Sequence, residues 1–188
     1  IKLKDYRQYR DVELPFKQTS GNDLHIIVGK NGMGKTNLLN AINWCLYKEE
    51  PHLSKDSEQL PRLNLKTIEN AEEGEKGQVA VELWIQIDNK QRIILTRKGD
   101  YIIHKNSLPS PSSSVFEVKI VDDKGNTNIL KEEEAQNKVE RFVPQGIRDF
   151  FFFDGERLDS YFKEATGQRI MNAIFGISKI DLLNIIEY

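Results

Sequence analysis

The stretch Gly29-Lys30-Asn31-Gly32-Met33-Gly34-Lys35-Thr36 satisfies the pattern G-x-x-x-x-G-K-[ST], and it restricts this chain more than any other feature. The pattern has a physical mechanism only where it joins a strand to a helix. Leu24-His25-Ile26-Ile27-Val28 before it is a continuous apolar run, the kind a strand covered on both faces needs. After it, Thr36 to Tyr47 places Leu38, Leu39, Ile42 and Leu46 at helical spacing with no Gly or Pro inside. In that setting the glycines allow successive backbone N–H groups to turn inward around phosphate oxygens. Lys35 brings a point charge to the β and γ phosphates, Thr36 offers a hydroxyl to Mg2+, and the helix N-terminus faces the anion. Gly29, Lys30, Asn31, Gly32, Met33, Gly34, Lys35, Thr36 and Asn37 are therefore the predicted nucleotide-binding set, with ATP and Mg2+ as the implied ligands.

A second constellation is Phe150-Phe151-Phe152-Phe153-Asp154-Gly155-Glu156. Read as a buried strand over Asp149–Phe153, it places acids at a strand end, where parallel sheets bind ligands. Two mechanisms fit. In one, Asp154 holds the magnesium and Glu156 orients the attacking water of a self-contained NTPase. In the other, Asp154 senses γ-phosphate and magnesium while the catalytic carboxylate lies elsewhere. A third reading has no chemistry: a core strand ending in solvated acids. Val118–Asp123 imitates the same pattern, but Lys119 interrupts its apolar run and Asp-Lys-Gly-Asn follows as turn chemistry, so a turn is predicted there.

The rest of the chain predicts a β-rich organisation in one domain. Ile1–Lys4 and Val12–Phe16 alternate around Asp5–Arg10. Lys48–Gly77 is polar and acidic, with Pro51 and Pro61, and reads as an exposed, mobile insertion carrying little core. Gln78–Ile87 and Gln91–Arg97 alternate as a hairpin, Tyr101–His104 reads as a short strand, Ser107–Ser114 as a loop and Val115–Val121 as a strand, so 78–121 is an antiparallel region. Lys131–Phe142 reads as a charged amphipathic helix and 156–188 as short helices.

Charge and composition exclude several classes. With 27 basic and 29 acidic residues the formal charge is −2, so no global positive field announces nucleic acid or an anionic membrane. Lys2, Lys4, Arg7 and Arg10, and the group Arg92, Arg97 and Lys98, could each make a small basic face, although a solvated strand face is the simpler reading. No apolar run approaches the ~20 residues that span a bilayer, so no membrane partner is expected. The single cysteine, Cys45, cannot form an intramolecular disulfide, which fits the cytoplasm. His25, His52 and His104 lack ligand-spaced partners, and Trp44 and Trp84 read as packing residues. A chain starting Ile-Lys-Leu-Lys without Met is expected to be preceded by a few residues.

The order of these features resembles the N-terminal half of the SMC-like branch of ABC ATPases, which includes RecF and the coiled-coil ATPases of DNA double-strand-break repair. Asp5-Tyr6-Arg7-Gln8-Tyr9 is similar to that branch's N-F-R-x-[FY] element, and Val28–Thr36 and the Gln78–Arg97 hairpin follow at the matching spacing. The string Phe151–Glu156 looks most like DndD, the SMC-like ATPase family of DNA phosphorothioation systems, and its relatives in anti-phage defence. The resemblance implies an α/β P-loop NTPase fold, an ABC/SMC-like N-terminal lobe with an antiparallel β region and C-terminal helices leading toward a coiled coil. It implies that Arg7 approaches the nucleotide from the first β turn and that Asp154 takes a place where the branch usually has Gln. It further implies a C-terminal lobe bearing the catalytic Glu and a Ser-Gly signature, ATP-dependent pairing of two heads, a clamp on DNA, and partner proteins of the same modification or defence system. The apolar periodicity of Ile180–Ile186 sits where a coiled coil would begin.

Overall fold

The computed structural model describes residues 1–16, 24–53, 60–86 and 91–152. It divides into two compact units, 1–135 and 136–188, where the sequence suggested one. The first unit is built on a six-stranded sheet in the order β2-β1-β3-β4-β5-β6, antiparallel at every pairing. Its strands are β1 (Lys2–Tyr6), β2 (Tyr9–Glu13), β3 (Lys76–Gln86), β4 (Arg92–Ile102), β5 (Ser110–Val121) and β6 (Thr127–Lys131). Helix α1 (Lys35–Tyr47) packs against β3 and β4, and a short α2 (Leu65–Asn70) precedes β3.

Period-two alternation sorts the sheet's faces. Leu3, Val79, Val81, Leu83, Ile93, Leu95, Phe116 and Val118 are buried, and α1 adds Leu38, Ala41, Trp44 and Cys45. The opposite face carries a cross-strand row of Glu13, Lys2, Glu82, Thr96, Glu117 and Lys131. Lys2 stands opposite Glu13 and Lys4 opposite Asp11, so both lysines lie in a ladder of opposite charges rather than a basic stripe.

Several expectations meet corrections. Arg97 is not on the solvated face: it lies opposite Val81 and Phe116 on the buried row. Its Nε donates to the Cys45 carbonyl at 2.9 Å and its guanidinium stacks on Phe116 at 4.0 Å. Burial lowers its pKa, with Glu132 opposing. Trp84 is exposed, whereas Trp44 is buried. Tyr101–Ile102 is continuous with β4, and β5 begins at Ser110, so part of the expected Ser/Pro loop is ladder; Pro111 is accommodated next to a register shift at Asp100/Tyr101.

The segment 48–77 carries core after all. Among its described residues Leu53, Leu63 and Ala71 are buried, and Leu63 bridges to Tyr6 in an antiparallel β-contact. A Cβ on Gly77 would stand 2.5 Å from Leu63 Cδ2, so Gly77 is what leaves room for that leucine in the first strand of the hairpin. The polar composition misled because the apolar residues are few and widely spaced.

Two predicted strands do not form among the described residues. Leu24–Val28 has no ladder partner among the described residues, and Val28 is 90% exposed. Asp149–Phe153 is not a strand where it is described: after a 3-10 turn (Gln145–Ile147), Arg148–Phe151 forms a short helix and Phe151 is exposed. An aromatic run becomes a buried strand only with a neighbour to pair with, and none is present among the described residues. In the second unit Val139 and Ile147 are buried. The helix α3 (Glu132–Phe142) that leads into it has Glu132, Glu133 and Glu134 in its first turn and Arg141 in its last, matching the helix dipole. The turn predicted at Asp122–Asn126 is present, with Asp122 N–H donating to the Asn126 carbonyl.

Truncating Leu63 should therefore cost about 2–5 kcal/mol, the range for a buried leucine, read as a lower urea midpoint for Leu63→Ala. Cys45 gives an independent check. It is fully buried and its thiol is pushed up to about 12 by burial, so alkylation at neutral pH should be slow in the native protein and faster in Leu63→Ala.

Candidate nucleotide-binding site

The loop Gly29–Gly34 reaches α1 through two glycines in the left-handed region, Gly32 at φ 81° and Gly34 at φ 99°. Gly34 is the N-cap residue of α1 and provides no side-chain cap, and the helix has no acidic residue in its first turn. Its leading N–H groups thus have no side-chain acceptor at the cap and face the loop with the positive end of the dipole. Lys35 is the first residue of the helix, and its ammonium folds back over the loop, donating to the carbonyls of Gly29 at 2.8 Å and Lys30 at 3.2 Å. Met33 N–H closes the turn on the Lys30 carbonyl at 3.2 Å. Thr36 is in the first turn of α1.

The tip of the β1–β2 hairpin seals this loop from one side. Tyr9 donates its hydroxyl to the Gly34 carbonyl at 3.0 Å, and Asn37 donates its side-chain N–H to Gln8 at 2.8 Å. A Cβ on Gly34 would fall 1.4 Å from Gln8 Nε2 and push that side chain aside, while the positive φ is what favours glycine there. The hairpin tip is itself strained, with Asp5 at φ 48° and Arg7 at φ 50°. Backbone and side-chain bonds to the next segment hold it: Asn64 N–H donates to the Asp5 carbonyl, Asn64 Nδ2 to the Arg7 carbonyl, Arg7 N–H to the Arg62 carbonyl, and Thr67 to Asp5.

Arg7, Gln8, Arg10, Asn37, Leu60, Pro61, Leu63, Asn64, Leu65 and Lys66 surround a cavity of about 470 Å³ beside the loop. Arg7 and Asn37, predicted from sequence, both line this cavity, which adjoins the loop through Gln8 and Asn37. The Arg7 guanidinium is nevertheless engaged: its Nε donates to Glu50 at 2.9 Å. Glu50 also accepts from the Tyr6 hydroxyl and lies 2.6 Å from Arg62 Nε, a charge contact without an aligned N–H direction. Burial, which lowers the pKa of Arg7, is outweighed by the bond to Glu50 and its charge, so the pKa of Arg7 rises. Burial followed by the charge on Glu50 pushes the Tyr6 hydroxyl far above its ordinary range.

Sequence reasoning missed Gln8, Tyr9, Glu50, Arg62 and Asn64. Gln8 and Tyr9 sit in the Asp5–Tyr9 motif and were findable through it, whereas Glu50, Arg62 and Asn64 had no signal inside a polar segment. Asp154 and Glu156 lie outside the described residues. Among the described residues no cluster of three or more His, Cys, Asp or Glu side chains could hold a metal ion. The donor set itself fits a polyphosphate, being cationic at Lys35 and rich in backbone N–H. Were magnesium to bind with it, Thr36, in the first turn of α1, is the described residue that would offer a hydroxyl. His104 sits apart, between Glu73 and Ser110.

The family model for the AAA domain matches residues 1–183. The chain belongs to the AAA domain family. It is similar to the DNA replication and repair protein RecF of Lactococcus lactis subsp. cremoris (strain MG1363), at 34% identity over 54% of this chain and 29% of that protein. The RecF of Geobacillus thermodenitrificans is 32% identical over 56% of this chain and 29% of its own length. That of Acetivibrio thermocellus is 38% identical over 31% of this chain and 15% of its own. The chain thus spans three tenths or less of the length of these RecF proteins. A solved structure from work on ATP-driven dimerization and DNA-stimulated activation of SMC ATPases covers 94% of this chain and 96% of its own, at 15% identity and a TM-score of 0.40. Among the described residues no helix is long and apolar enough to cross a membrane.

Gly34→Ala should cost about 1–2 kcal/mol for its left-handed backbone and displace Gln8 from Asn37. Thermal unfolding should show a lowered Tm and titration a weaker Mg-ATP affinity. Removing Gln8 as well should leave the backbone cost in place, so the Tm of the double variant should stay low.

Proposed function

We propose that this protein is the ATP-binding and ATP-hydrolysing head of a DNA-associated ATPase of the SMC and RecF kind. The observation that carries the reading is the loop Gly29–Thr36: left-handed glycines lead into an uncapped helix N-terminus, and Lys35 is folded over the loop. ATP would be held there by backbone N–H groups and Lys35, with Mg2+ at Thr36 and Asp154. The neighbouring cavity, with Arg7 and Asn37 on its wall, would receive the rest of the nucleotide. Bound nucleotide supplies a phosphoanhydride to cleave and magnesium to neutralise its charge.

The exposed apolar run Leu24–Val28 supports a C-terminal lobe as partner, since it has no ladder partner among the described residues and leaves apolar surface to cover. In this proposal that lobe completes the site, ATP binding favours association of two heads, and hydrolysis releases them. Asp154 and Glu156 act there as phosphate sensor or catalytic acid pair. DNA enters as a partner of the whole assembly.

For the pathway, the string Phe151–Glu156 supports a role in DNA phosphorothioation or linked anti-phage defence, with partner proteins of that system and a cytoplasmic setting. The similarity to RecF over about half of the chain favours a second reading, DNA repair. ATP turnover stimulated by phosphorothioated over unmodified DNA distinguishes the two.

Lys35→Ala should abolish measurable ATP turnover and weaken Mg-ATP binding at least tenfold (~1.4 kcal/mol) while leaving the Tm without nucleotide unchanged. Unaltered binding in that variant would refute the site. In a concentration series the 188-residue chain alone should not turn over ATP, whereas the full-length protein should do so cooperatively. Turnover by the short chain that scales linearly would make Asp154 and Glu156 a self-sufficient pair.

A further inference from the structure

Glu50 has a side chain only 5% exposed, and its two oxygens face the consecutive Tyr6 and Arg7 as donors and the charge of Arg62 from another segment. Oε1 takes the Tyr6 hydroxyl and, at 2.9 Å, Arg7 Nε; Oε2 lies 2.6 Å from Arg62 Nε. Each arginine lines a cavity. Arg7 is on the wall of the 470 Å³ cavity beside the P-loop, and Arg62 on that of a second cavity of about 290 Å³ with Trp44, Lys48 and Ser113.

A carboxylate and a phosphate offer arginine the same pair of oxygen acceptors. A buried arginine without a counter-ion is costly, so in the free protein something anionic has to sit against Arg7. A triphosphate in the P-loop would bring several negative charges toward the cavity that Arg7 lines, and Glu50, bonded to Arg7, would repel it and compete with it for that arginine.

We propose that Glu50 is an internal stand-in for a nucleotide phosphate, holding Arg7 and Arg62 until a bound nucleoside triphosphate takes over Arg7. This rests on the P-loop reading above. The exchange needs no rearrangement of the hairpin tip. The backbone bonds from Arg7 N–H to Arg62 and from Asn64 to the Arg7 carbonyl hold the turn independently of the guanidinium. Arg62 stays with Glu50, which keeps that carboxylate paired after Arg7 leaves. Glu50 is a positioning residue, acting on the nucleotide through Arg7.

A residue in this role moves stability and ligand affinity in opposite directions, which a purely structural ion pair does not. In the full-length protein, Glu50→Gln keeps the shape and an acceptor for Tyr6 but removes the charge. Its Tm without nucleotide should fall, while its Kd for Mg-ATP should drop about threefold or more at low salt, with the gain shrinking as salt screens it. Adding Arg7→Ala to E50Q should abolish the gain. An unchanged or weaker Mg-ATP affinity in a folded E50Q protein overturns the proposal and leaves the P-loop reading standing. No Mg-ATP binding by the wild-type protein removes both. If E50Q does not fold, Arg7→Gln in the wild-type background decides the matter: a Kd raised about threefold or more supports the exchange, and an unchanged Kd refutes it.

Discussion

A helix can present its N-terminus to an anion only if the rest of the helix is held still, and here the hold is the seating of α1 on β3 and β4. Leu38, Ala41, Trp44 and Cys45 lie against the inward row of the sheet, and the Cys45 thiol reaches the Val81 and Leu95 carbonyls. At the far end of the same helix Arg97 rises from the sheet to take the Cys45 carbonyl, one of the last-turn groups that a helix leaves unpaired. With that end fixed, the position of Gly34 follows, and with it the position of the loop.

Burying charge is the unusual part of this arrangement. Arg97 is desolvated among apolar neighbours and is retained by a carbonyl, an aromatic face and the nearby charge of Glu132. Glu50 and Arg7, both nearly buried, make a second charged group with the part-exposed Arg62, linking the hairpin tip to the 60–67 segment. Breaking such a group by removing one member costs more than never having built it, because a bare charge is left behind. Arg7 therefore needs an anion at all times, whereas the turn that carries it is held separately by backbone bonds to Arg62 and Asn64.

What could be read from the sequence was what local pattern determines. The helix after the P-loop, the β3–β4 hairpin and the turn at Asp122 were legible because side-chain periodicity or turn chemistry fixes them without reference to distant residues. The errors share a cause. Leu24–Val28 and Phe150–Phe153 carry the composition of buried strands, but a strand exists only with a ladder partner, and composition does not name one. Arg97 was placed on the surface because arginine usually is, while its register opposite Val81 and Phe116 decides otherwise. Glu50 and Asn64 were invisible because their importance comes from residues more than forty positions away, Tyr6 and Arg7. The glycine turn and the start of α1 were legible locally, the strand expected before them was not found, and the contacts from the hairpin tip were legible only through Asp5–Tyr9.

The sheet order has a consequence for how this protein comes into being. Strand β1 lies between β2 and β3, so Lys2 and Leu3 find their second partner only at Glu82 and Val81. During synthesis the P-loop and α1 leave the ribosome well before the strands that form their floor, and an amphipathic helix without its floor is marginal. Closing so long a loop is slow relative to making local contacts. The loop at Gly29–Thr36 precedes the β3–β4 hairpin in sequence, yet the helix that follows it gains its floor only after the hairpin's return strand has been made.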